Sequence, residues 1–329
     1  MASFSNRLSV VAKMKATKVV LWVFAGLGAV TVIAIAGLAL TFTPAKLDVP
    51  TVDVGALPPA SPPAGMSISA LPTGTYDTPA ALTYRGGSWS DTRHLASTPV
   101  LIRHPKGNLL IDSGFGRQID AHMLLIPAMQ RSPHHKLVPV VDQLAAGGIQ
   151  PGDLAGVIPT HAHWDHISGL DDLDGVPVLE SDAGKRWIDS HAEGTGVINS
   201  FNGVNYQQYD FEGGPYLGFP RSHDVLGDGS VVIAPEPGHT PDSIVIFVNL
   251  RSGTRYAFVG DLVWQMEGLD IPAEKPWMLR RLIGENNDEV HHGIALIRAA
   301  IQAYPRIHAV PAHDVSAFNT IPVFPASVR

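Results

Sequence analysis

The longest apolar run of the chain lies near its amino terminus, where residues 19–42 contain no charged side chain. A helix of these 24 residues, rising 1.5 Å per residue, would extend about 36 Å, which is enough to cross a hydrocarbon core of about 30 Å with some tilt. A helix buried in a soluble domain normally keeps a polar face, and this segment has none. The pattern therefore predicts a transmembrane or signal helix.

After residue 65, short apolar runs alternate with segments of helical periodicity. The runs, which are typical of sheet strands, are residues 66–71, 99–103, 108–112, 154–160, 231–234, 243–249, 255–259 and 307–311. Two segments have apolar side chains at helical spacing, residues 137–146 before Gly147-Gly148 and residues 290–304 before Pro305. Strands that end in His or Asp and are interspersed with helices predict a layered α/β body with its chemistry at one sheet edge.

Composition narrows the chemistry that this body can perform. Hydrophobic residues make up 45% of the 329 residues, which is enough for a sizeable core and excludes a largely disordered chain. The chain contains no cysteine, so disulfides, thiolate nucleophiles, iron–sulfur clusters and Cys-ligated zinc are excluded. Any metal ion must therefore be held by histidines and carboxylates.

Charge is distributed unevenly along the chain. Residues 1–42 carry four of the 23 basic residues (Arg7, Lys13, Lys15 and Lys18) and none of the 30 acidic ones. Because these bases precede the apolar run, the positive-inside rule places the amino terminus in the cytoplasm and the remainder on the extracytoplasmic, periplasmic side of the cell membrane. The alternative is a secreted protein, cleaved near Ala36, where small residues resemble a signal cleavage site. The remaining body is acidic, which makes nucleic acid an unfavourable partner.

Four regions follow from these patterns. Residues 1–18 form a basic amino-terminal segment, and residues 19–42 a single-pass anchor or signal helix. Residues 43–65 are rich in proline and alanine, which predicts an extended spacer that holds the body off the bilayer. Residues 66–329 form the folded domain.

One six-residue block concentrates candidate metal ligands. In His161-Ala162-His163-Trp164-Asp165-His166, the side chains of His161 and His163 face the same way on an extended segment and can reach one metal ion. Asp165 and His166 are consecutive and diverge. The spacing therefore indicates two adjacent metal ions, or one site with spare ligands. Further candidates follow predicted strands, where side chains converge on a cleft, namely His239, Asp261 and His313.

The block THAHWDH, followed along the chain by PGHT, GD and AHD, resembles the signature of the metallo-β-lactamase superfamily. Residues 110–114, LIDSG, are similar to the family's early strand motif. The resemblance implies an αββα sandwich, with two mixed sheets flanked by helices. It also implies seven ligands for two metal ions: His161, His163 and His239 for the first, Asp165, His166 and His313 for the second, and Asp261 as the bridge.

The charge of the two implied metal ions explains how such a site would hydrolyse a substrate. Two divalent ions that share a water lower its pKa from about 15.7 toward about 7, so that hydroxide is available to attack an electrophilic carbonyl or phosphoryl group. The ions also stabilise the oxyanion that develops. Asp165 is expected to orient the hydroxide as well as to bind metal. Zinc suits a His and carboxylate set, and Fe, Mn or Co suit similar ligands.

The intervals between His239, Asp261 and His313 resemble the lactonase and organophosphate hydrolase branch of the family. Acyl-homoserine lactonases carry a tyrosine three residues after the bridging aspartate, whereas this chain has Trp264, a candidate substrate contact without an acidic hydroxyl. Aromatic residues within positions 201–219, and apolar residues within 264–279, predict an apolar pocket or lid, or alternatively loops packed on the core.

The sequence thus predicts a membrane-anchored hydrolase of a small, apolar ester or lactone. The alternatives on the same site are a β-lactam, thioester or phosphotriester hydrolase. A flavin-partnered di-iron redox protein is disfavoured because His163 stands where those relatives have Glu. A non-catalytic metal-dependent binding protein is the remaining alternative. The partners implied are a small-molecule substrate and the membrane, and the sequence does not specify an oligomeric state.

Overall fold

The computed structural model describes the backbone of residues 2–329 and the side chains of residue 18 and residues 21–329. The side chains of Arg7, Lys13 and Lys15, which define the predicted basic segment, lie outside the described residues. The chain divides into one unit that ends at Thr43 and a second unit, Pro44–Arg329.

The first unit is a single helix, α1 (Ala2–Leu40). Its stretch Leu21–Leu40 has a mean hydropathy of 2.4 and meets the length and composition of a membrane span. A signal sequence near the amino terminus has the same properties, so the structure supports an apolar helix that is one or the other.

The second unit contains the strands and the remaining helices. In chain order the strands are β1 (Ser67–Ala70), β2 (Gly74–Pro79), β3 (Thr92–Ser97), β4 (Val100–Arg103), β5 (Asn108–Ile111), β6 (His134–Lys136), β7 (Leu154–Ile158), β8 (Val178–Ser181), β9 (Tyr206–Tyr209), β10 (His223–Asp224), β11 (Val231–Pro235), β12 (Ile244–Asn249), β13 (Arg255–Gly260) and β14 (Ile307–Pro311). The helices are α2 (Ala80–Thr83), α3 (Ile119–His122), α4 (Val140–Ala146), α5 (Trp164–Ile167), α6 (Asp182–Asp189), α7 (Glu267–Asp270), α8 (Trp277–Ile283) and α9 (Asn287–Ala303). All eight strands and both helices predicted from the apolar pattern are confirmed, with bounds shifted by a few residues.

Two mixed sheets form the centre of the unit. One has six strands in the order β1-β4-β5-β7-β8-β9, and its strands from β5 to β9 run parallel. The other has five strands in the order β10-β11-β12-β13-β14, antiparallel except for the parallel pair β13 and β14. A separate three-stranded sheet, β3-β2-β6, was not predicted, because its strands are mostly polar and carry no apolar run.

Side-chain alternation builds the layers. Ile102 and Ile111 of the six-stranded sheet share one core with Ile233 and Ile246 of the five-stranded sheet, so the two sheets pack face to face. The opposite face of the first sheet packs on α4, and that of the second packs on α9. The predicted αββα sandwich is therefore confirmed.

Residues 44–65, all of which the structure describes, contain no helix or strand, but they lie along the body instead of extending from it. Val54 is buried in the same core as α9, and Leu47, Val49 and Val52 pack against it. Ser61 N–H donates to Asp228 O at 2.8 Å. The expectation of an extended spacer is corrected here, because the apolar side chains interspersed among the prolines cover the α9 layer.

Strands from both sheets deliver side chains to one edge of the sandwich. β7 leads to His161, β13 to Asp261 and β14 to His313. At this edge the backbone of Gly260, at the end of β13, lies close to Thr160, which follows β7 of the other sheet. The φ of Gly260 is +52°, and a Cβ on it would lie only 3.0 Å from Thr160 Cβ. A side chain there would strain the backbone immediately before Asp261 and push it away from the His161 loop.

Candidate metal centre

The first group of candidate ligands consists of three imidazoles whose nitrogens face one another. His163 Nδ1 lies 3.0 Å from His161 Nε2 and 3.0 Å from His239 Nε2. His161 and His239 are buried, and His163 is partly buried on the wall of a cavity. The three side chains come from the loop after β7 and the loop after β11, so the fold brings together residues that are 78 positions apart in the sequence (161 to 239).

The second group lies beside the first and contains Asp165, His166 and His313, all buried. His313 Nε2 lies 3.4 Å from Asp165 Oδ2, and His166 Nε2 lies 3.9 Å from Asp165 Oδ1. Asp165 and His166 stand on the short helix α5 and meet in this second group, separate from the group of His161 and His163. The expected divergence of Asp165 from His166 is therefore not what the structure contains, since a helical turn brings both side chains to one group.

Asp261 stands between the two groups and presents one oxygen to each. Its Oδ2 lies 3.4 Å from His239 Nε2 and 3.9 Å from His161 Nε2. Its Oδ1 lies 3.0 Å from His313 Nε2 and 3.3 Å from His166 Nε2. The seven predicted ligands thus converge, with one carboxylate in contact with both sets of imidazoles.

The protonation states in the first group suit metal binding. Burial lowers the pKa of His161 and of His163 well below the usual value, and neighbouring histidines act in the same direction. Burial alone would raise the pKa of Asp261, but His313 and His166 outweigh it and hold that pKa well below its usual value. Neutral imidazoles and an ionised carboxylate are the forms that bind divalent cations.

The second group carries protons instead. Burial alone would lower the pKa of His166, but Asp112 and Asp165 outweigh it and hold it well above the usual value. The pKa of His313 is raised by Asp261 against the effect of burial. A metal ion bound here therefore has to displace protons.

Two buried atoms in the centre fit a cation. His166 Nε2 and Asp261 Oδ1 have no hydrogen-bond partner among the described residues, although both are buried. Buried polar atoms are almost always satisfied, and a metal ion is one way to satisfy them. Imidazole and carboxylate donors around such atoms fit a divalent ion of the zinc type.

A buried ion pair supports the first group. His239 Nδ1–H donates to Glu285 Oε1 at 2.6 Å, and Lys275 Nζ donates to the same oxygen at 2.5 Å. Lys275 also donates to the backbone oxygen of Asp261 at 2.6 Å. Burial would raise the pKa of Glu285, but Lys275 and His239 outweigh it and keep it ionised. Sequence reasoning missed both residues, because neither belongs to a recognisable motif.

Different groups support the second set of ligands. His166 Nδ1–H donates to Asp112 Oδ2 at 2.9 Å, and His313 Nδ1–H donates to Ala96 O at 2.8 Å. Asp112 also accepts the Thr160 N–H at 2.7 Å. Each ring is therefore fixed through the nitrogen that faces away from the centre, as in many metal sites.

The hydroxyl of Tyr76 also reaches the second group. It comes from β2, and it lies 3.3 Å from His313 Nε2 on the wall of the cavity described below. Burial raises its pKa well above the usual value, and the charges of Asp165 and Asp261 add to that effect. Tyr76 therefore keeps its proton and remains a hydrogen-bond donor. Sequence reasoning missed it because β2 was not predicted.

Trp264, the predicted substrate contact, has a side chain that both faces the cavity and contacts a candidate ligand. It lines the cavity, and its Nε1–H donates to Asp261 Oδ2 at 2.7 Å. The indole N–H therefore fixes the position of the carboxylate oxygen that faces the first group. A hydrogen bond of this kind does not require the acidic hydroxyl of a tyrosine.

Asp242 stabilises the loop that carries the ligand block. Its Oδ2 accepts the Ala162 N–H at 2.7 Å, between His161 and His163. Burial raises the pKa of Asp242 to about 6. Burial also raises the pKa of the nearby Glu180 well above its usual value, and the charge of Asp242 adds to that effect. The two carboxyl groups therefore form a buried pair behind the ligand loop.

A cavity of about 390 Å³ opens over the centre. Its floor is formed by ligand side chains, namely His163, His239, Asp165 and Asp261. Its walls are mainly apolar and include Leu82, Leu125, Met129, Leu279, Leu282 and Ile283. The volume falls within the range of small-molecule sites, and an apolar wall with polar groups at its floor is typical of them.

The aromatic residues at positions 201–219 do not line this cavity, so their predicted pocket role is wrong. Tyr206–Tyr209 is strand β9, and Phe211, Tyr216 and Phe219 are buried in the cores. Of the second apolar region, Trp264 and Leu279 line the cavity, while Leu269 is buried in the core. Pocket walls and cores use the same residue types, which is why composition did not separate them.

An αββα sandwich with seven His and Asp side chains at one edge defines the class of metal-dependent hydrolases built on this fold. The sequence model of the metallo-beta-lactamase superfamily matches residues 92–311. The chain belongs to that superfamily, and it is a metallo-hydrolase.

The relatives agree with this assignment. A probable metallo-hydrolase of Mycobacterium tuberculosis is 25% identical over 231 residues, which cover 65% of this chain and 73% of that protein. A solved N-acyl homoserine lactone hydrolase with the product N-hexanoyl-L-homoserine at its catalytic metal centre is similar in fold (TM-score 0.63, 16% identity), with coverage of 80% of this chain and 99% of the other. A point mutant of B. thuringiensis AiiA, solved with N-decanoyl-L-homoserine bound at its active site, is similar too (TM-score 0.63, 17% identity, coverage of 80% of this chain and 99% of the other).

Proposed function

We propose that this protein is a membrane-anchored hydrolase that uses two divalent metal ions, with zinc as the metal, to cleave a small apolar ester, lactone or related substrate. The observation that carries the proposal is the position of Asp261. It contacts two separate groups of candidate ligands, and members of both groups form the floor of an apolar cavity.

In this proposal the ligands divide as the geometry groups them. The first ion is held by His161, His163 and His239, the second by Asp165, His166 and His313, with Asp261 in contact with both. Two such ions supply a water of lowered pKa as the nucleophile and polarise the oxygen of the scissile group.

Two side chains of the protein have further roles. Asp165 faces the cavity from the second group, where it accepts a hydrogen bond from the attacking water and orients it. Tyr76, which remains protonated, donates a hydrogen bond to the substrate oxygen on which charge develops. In the lactonases that this chain resembles, a phenol stands three residues after the bridging aspartate. Here Tyr76 supplies the phenol from β2, and Trp264 occupies the other position.

The walls of the cavity define the substrate class. Leucine, isoleucine and methionine side chains surround a polar floor, so the scissile group binds at the floor and an apolar chain extends along the walls. An acyl lactone satisfies this requirement, and so does an ester with an acyl chain; the two structural neighbours hold N-acyl-L-homoserines, and in one of them this ligand is the product.

The amino-terminal helix completes the proposal. Residues 1–18 lie in the cytoplasm and residues 19–42 cross the membrane. Residues 43–65 connect the helix to the hydrolase domain, residues 66–329, on the extracytoplasmic side. Secretion after cleavage near Ala36 is the alternative. A full-length protein in the membrane fraction supports the anchor, and a shortened protein outside that fraction supports secretion.

Metal content and a substrate panel test the proposal directly. The full chain is expected to contain two metal ions and to hydrolyse acyl lactones or esters faster as the acyl chain grows. Assays with a β-lactam, a thioester and a phosphotriester test the alternative substrate classes. Asp261→Asn is expected to lower the rate by about 10³-fold, since metal assistance contributes several kcal/mol. Asp270→Asn, at an exposed position on α7, is the matched control. Hydrolysis that survives in Asp261→Asn or after metal removal contradicts the proposal.

A further inference from the structure

Exposed apolar side chains stand on the two chain segments that supply much of the cavity wall. Leu124 and Met129, on the segment that carries the lining residues 125–127, are 68% and 75% exposed. Ile271 and Trp277, between the lining residues Trp264 and Leu279 in the sequence, are 52% and 40% exposed. We call these four residues the rim. Isolated apolar side chains are common on protein surfaces, but several on the segments that build a ligand cavity indicate an interaction surface.

The rim is continuous with the cavity wall. Met129 belongs to both, and Leu125, the residue after Leu124, also lines the cavity. Trp277 begins α8, whose residues Leu279, Leu282 and Ile283 form the opposite wall. A molecule that enters the cavity therefore passes between apolar side chains.

The connection to the apolar helix reaches the body beside this rim. Leu47 N–H donates to Pro272 O at 3.0 Å, and Pro272 directly follows Ile271 of the rim. Gly86, three residues after the α2 helix, is in contact with Pro44, since a Cβ on Gly86 would lie 3.1 Å from it. Leu82 of α2 lines the cavity. The chain thus enters the body on the side where the cavity opens.

Chain length then limits how far this side can lie from a membrane. Only three residues separate Leu40, where the apolar stretch ends, from Pro44. At no more than about 3.6 Å per residue, they hold Pro44 within about 15 Å of the helix end. The packing of residues 44–65 on the body removes the slack that a free spacer would provide.

We propose that the rim docks on the bilayer in which the apolar helix is anchored, and that the substrate is an amphiphile that passes from the bilayer into the cavity. The occupant of the rim is the acyl and headgroup boundary of the lipid, where tryptophan and leucine side chains insert favourably. This inference rests on the proposed anchoring and hydrolase function and deepens them, because it specifies an ester or lactone that carries a membrane-dissolved acyl chain.

The absence of cysteine makes the test simple. Leu124→Cys and Trp277→Cys each give the full chain a single site for an environment-sensitive fluorophore. Ser252→Cys is the control, because Ser252 is exposed in the turn before β13, at the opposite end of that strand from Asp261. The labelled chains are reconstituted into phosphatidylcholine vesicles with and without nitroxide-labelled lipid.

The proposal expects a blue-shifted emission and quenching by nitroxide lipid at positions 124 and 277, and neither effect at position 252. Water-like emission at all three positions overturns it. A blue shift at the rim without quenching also overturns it, since a second copy of the chain then covers the rim. None of these signals requires turnover, so a failure of docking is distinguishable from a failure of the proposed hydrolysis.

A second measurement links docking to substrate delivery. The double variant Leu124→Asp/Trp277→Asp is compared with the native chain on an acyl ester dissolved in vesicles and on a short ester dissolved in water. The ratio of the first rate to the second is expected to fall at least about tenfold, because two apolar side chains no longer insert. An unchanged ratio contradicts entry from the bilayer.

Discussion

Around Asp261, the imidazoles of the two ligand groups have opposite electrostatic surroundings. His161 and His163 have lowered pKa values because they are buried among other histidines. His166 and His313 have raised pKa values because Asp112, Asp165 and Asp261 outweigh their burial. His161 and His163 can therefore bind a cation at neutral pH without losing a proton, whereas His166 and His313 must first release protons.

The largest expected effect of this difference is on metal occupancy. As the pH falls from about 8 to about 6, around the usual pKa of histidine, the second group is expected to lose its ion while the first retains it. The sign follows from the raised pKa values, because protons compete with the metal for His166 and His313. Metal content after dialysis at each pH measures this. Loss of both ions together, or loss of the ion held by His161 and His163 first, would show that the two groups do not differ as described.

Supporting carboxylates allow each half to be weakened separately. Glu285→Gln is expected to lower the affinity of the first group by about 10–100-fold, and Asp112→Asn that of the second by a similar factor. The reason is that each carboxylate fixes the ring of one ligand, His239 or His166. Competition with a chromophoric chelator gives both affinities. If either variant lowers the metal affinity of both groups equally, the carboxylate does not act on one ligand group alone, and the prediction is contradicted.

Tyr76 allows a test from the substrate side, since its hydroxyl contacts His313 of the second group. Tyr76→Phe is expected to lower kcat by about tenfold to a hundredfold, through the loss of one donor to the developing charge, while both metal ions remain bound. Steady-state kinetics and metal content of the same preparation measure the two quantities. A variant with native kcat would remove Tyr76 from the mechanism.

The smallest effect concerns stability behind the first group. The pKa of Asp242 is raised to about 6 in the folded chain, from 3.8 in the unfolded one, so its protonated form favours folding. This contribution is fully present below a pH of about 4 and is lost as the pH rises through about 6. Asp242→Asn keeps the acceptor for the Ala162 N–H. It is expected to raise the unfolding free energy of the metal-free chain at a pH of about 7 by about 1–3 kcal/mol.

Thermal unfolding with chelator present, at a pH of about 4 and of about 7, measures this difference. The gain in stability should vanish at the lower pH, where the native carboxyl is already neutral. An equal effect at both values would mean that the variant acts through packing and not through charge.

The ligands could be predicted from the sequence because their signal is local. Three histidines and an aspartate occupy six positions, and Asp261 and His313 directly follow recognisable apolar strands. The supporting residues could not be predicted from the sequence, because Lys275, Glu285 and Tyr76 reach the centre only through tertiary contacts. The layered α/β body followed from the apolar runs and the αββα sandwich from the family resemblance, whereas β2 and its polar neighbours gave no apolar pattern. Packing of residues 44–65 was missed for the same reason, since proline content obscured four apolar side chains.

The central claim is that one carboxylate joins two cation sites. X-ray absorption at the metal edge, with elemental analysis of the full chain, tests it most directly. Two ions per chain are expected, about 3.5–4 Å apart and coordinated by imidazole nitrogen and carboxylate oxygen. A chain that takes up one ion or none at a pH of about 8, or two ions with no metal–metal distance in that range, would contradict it.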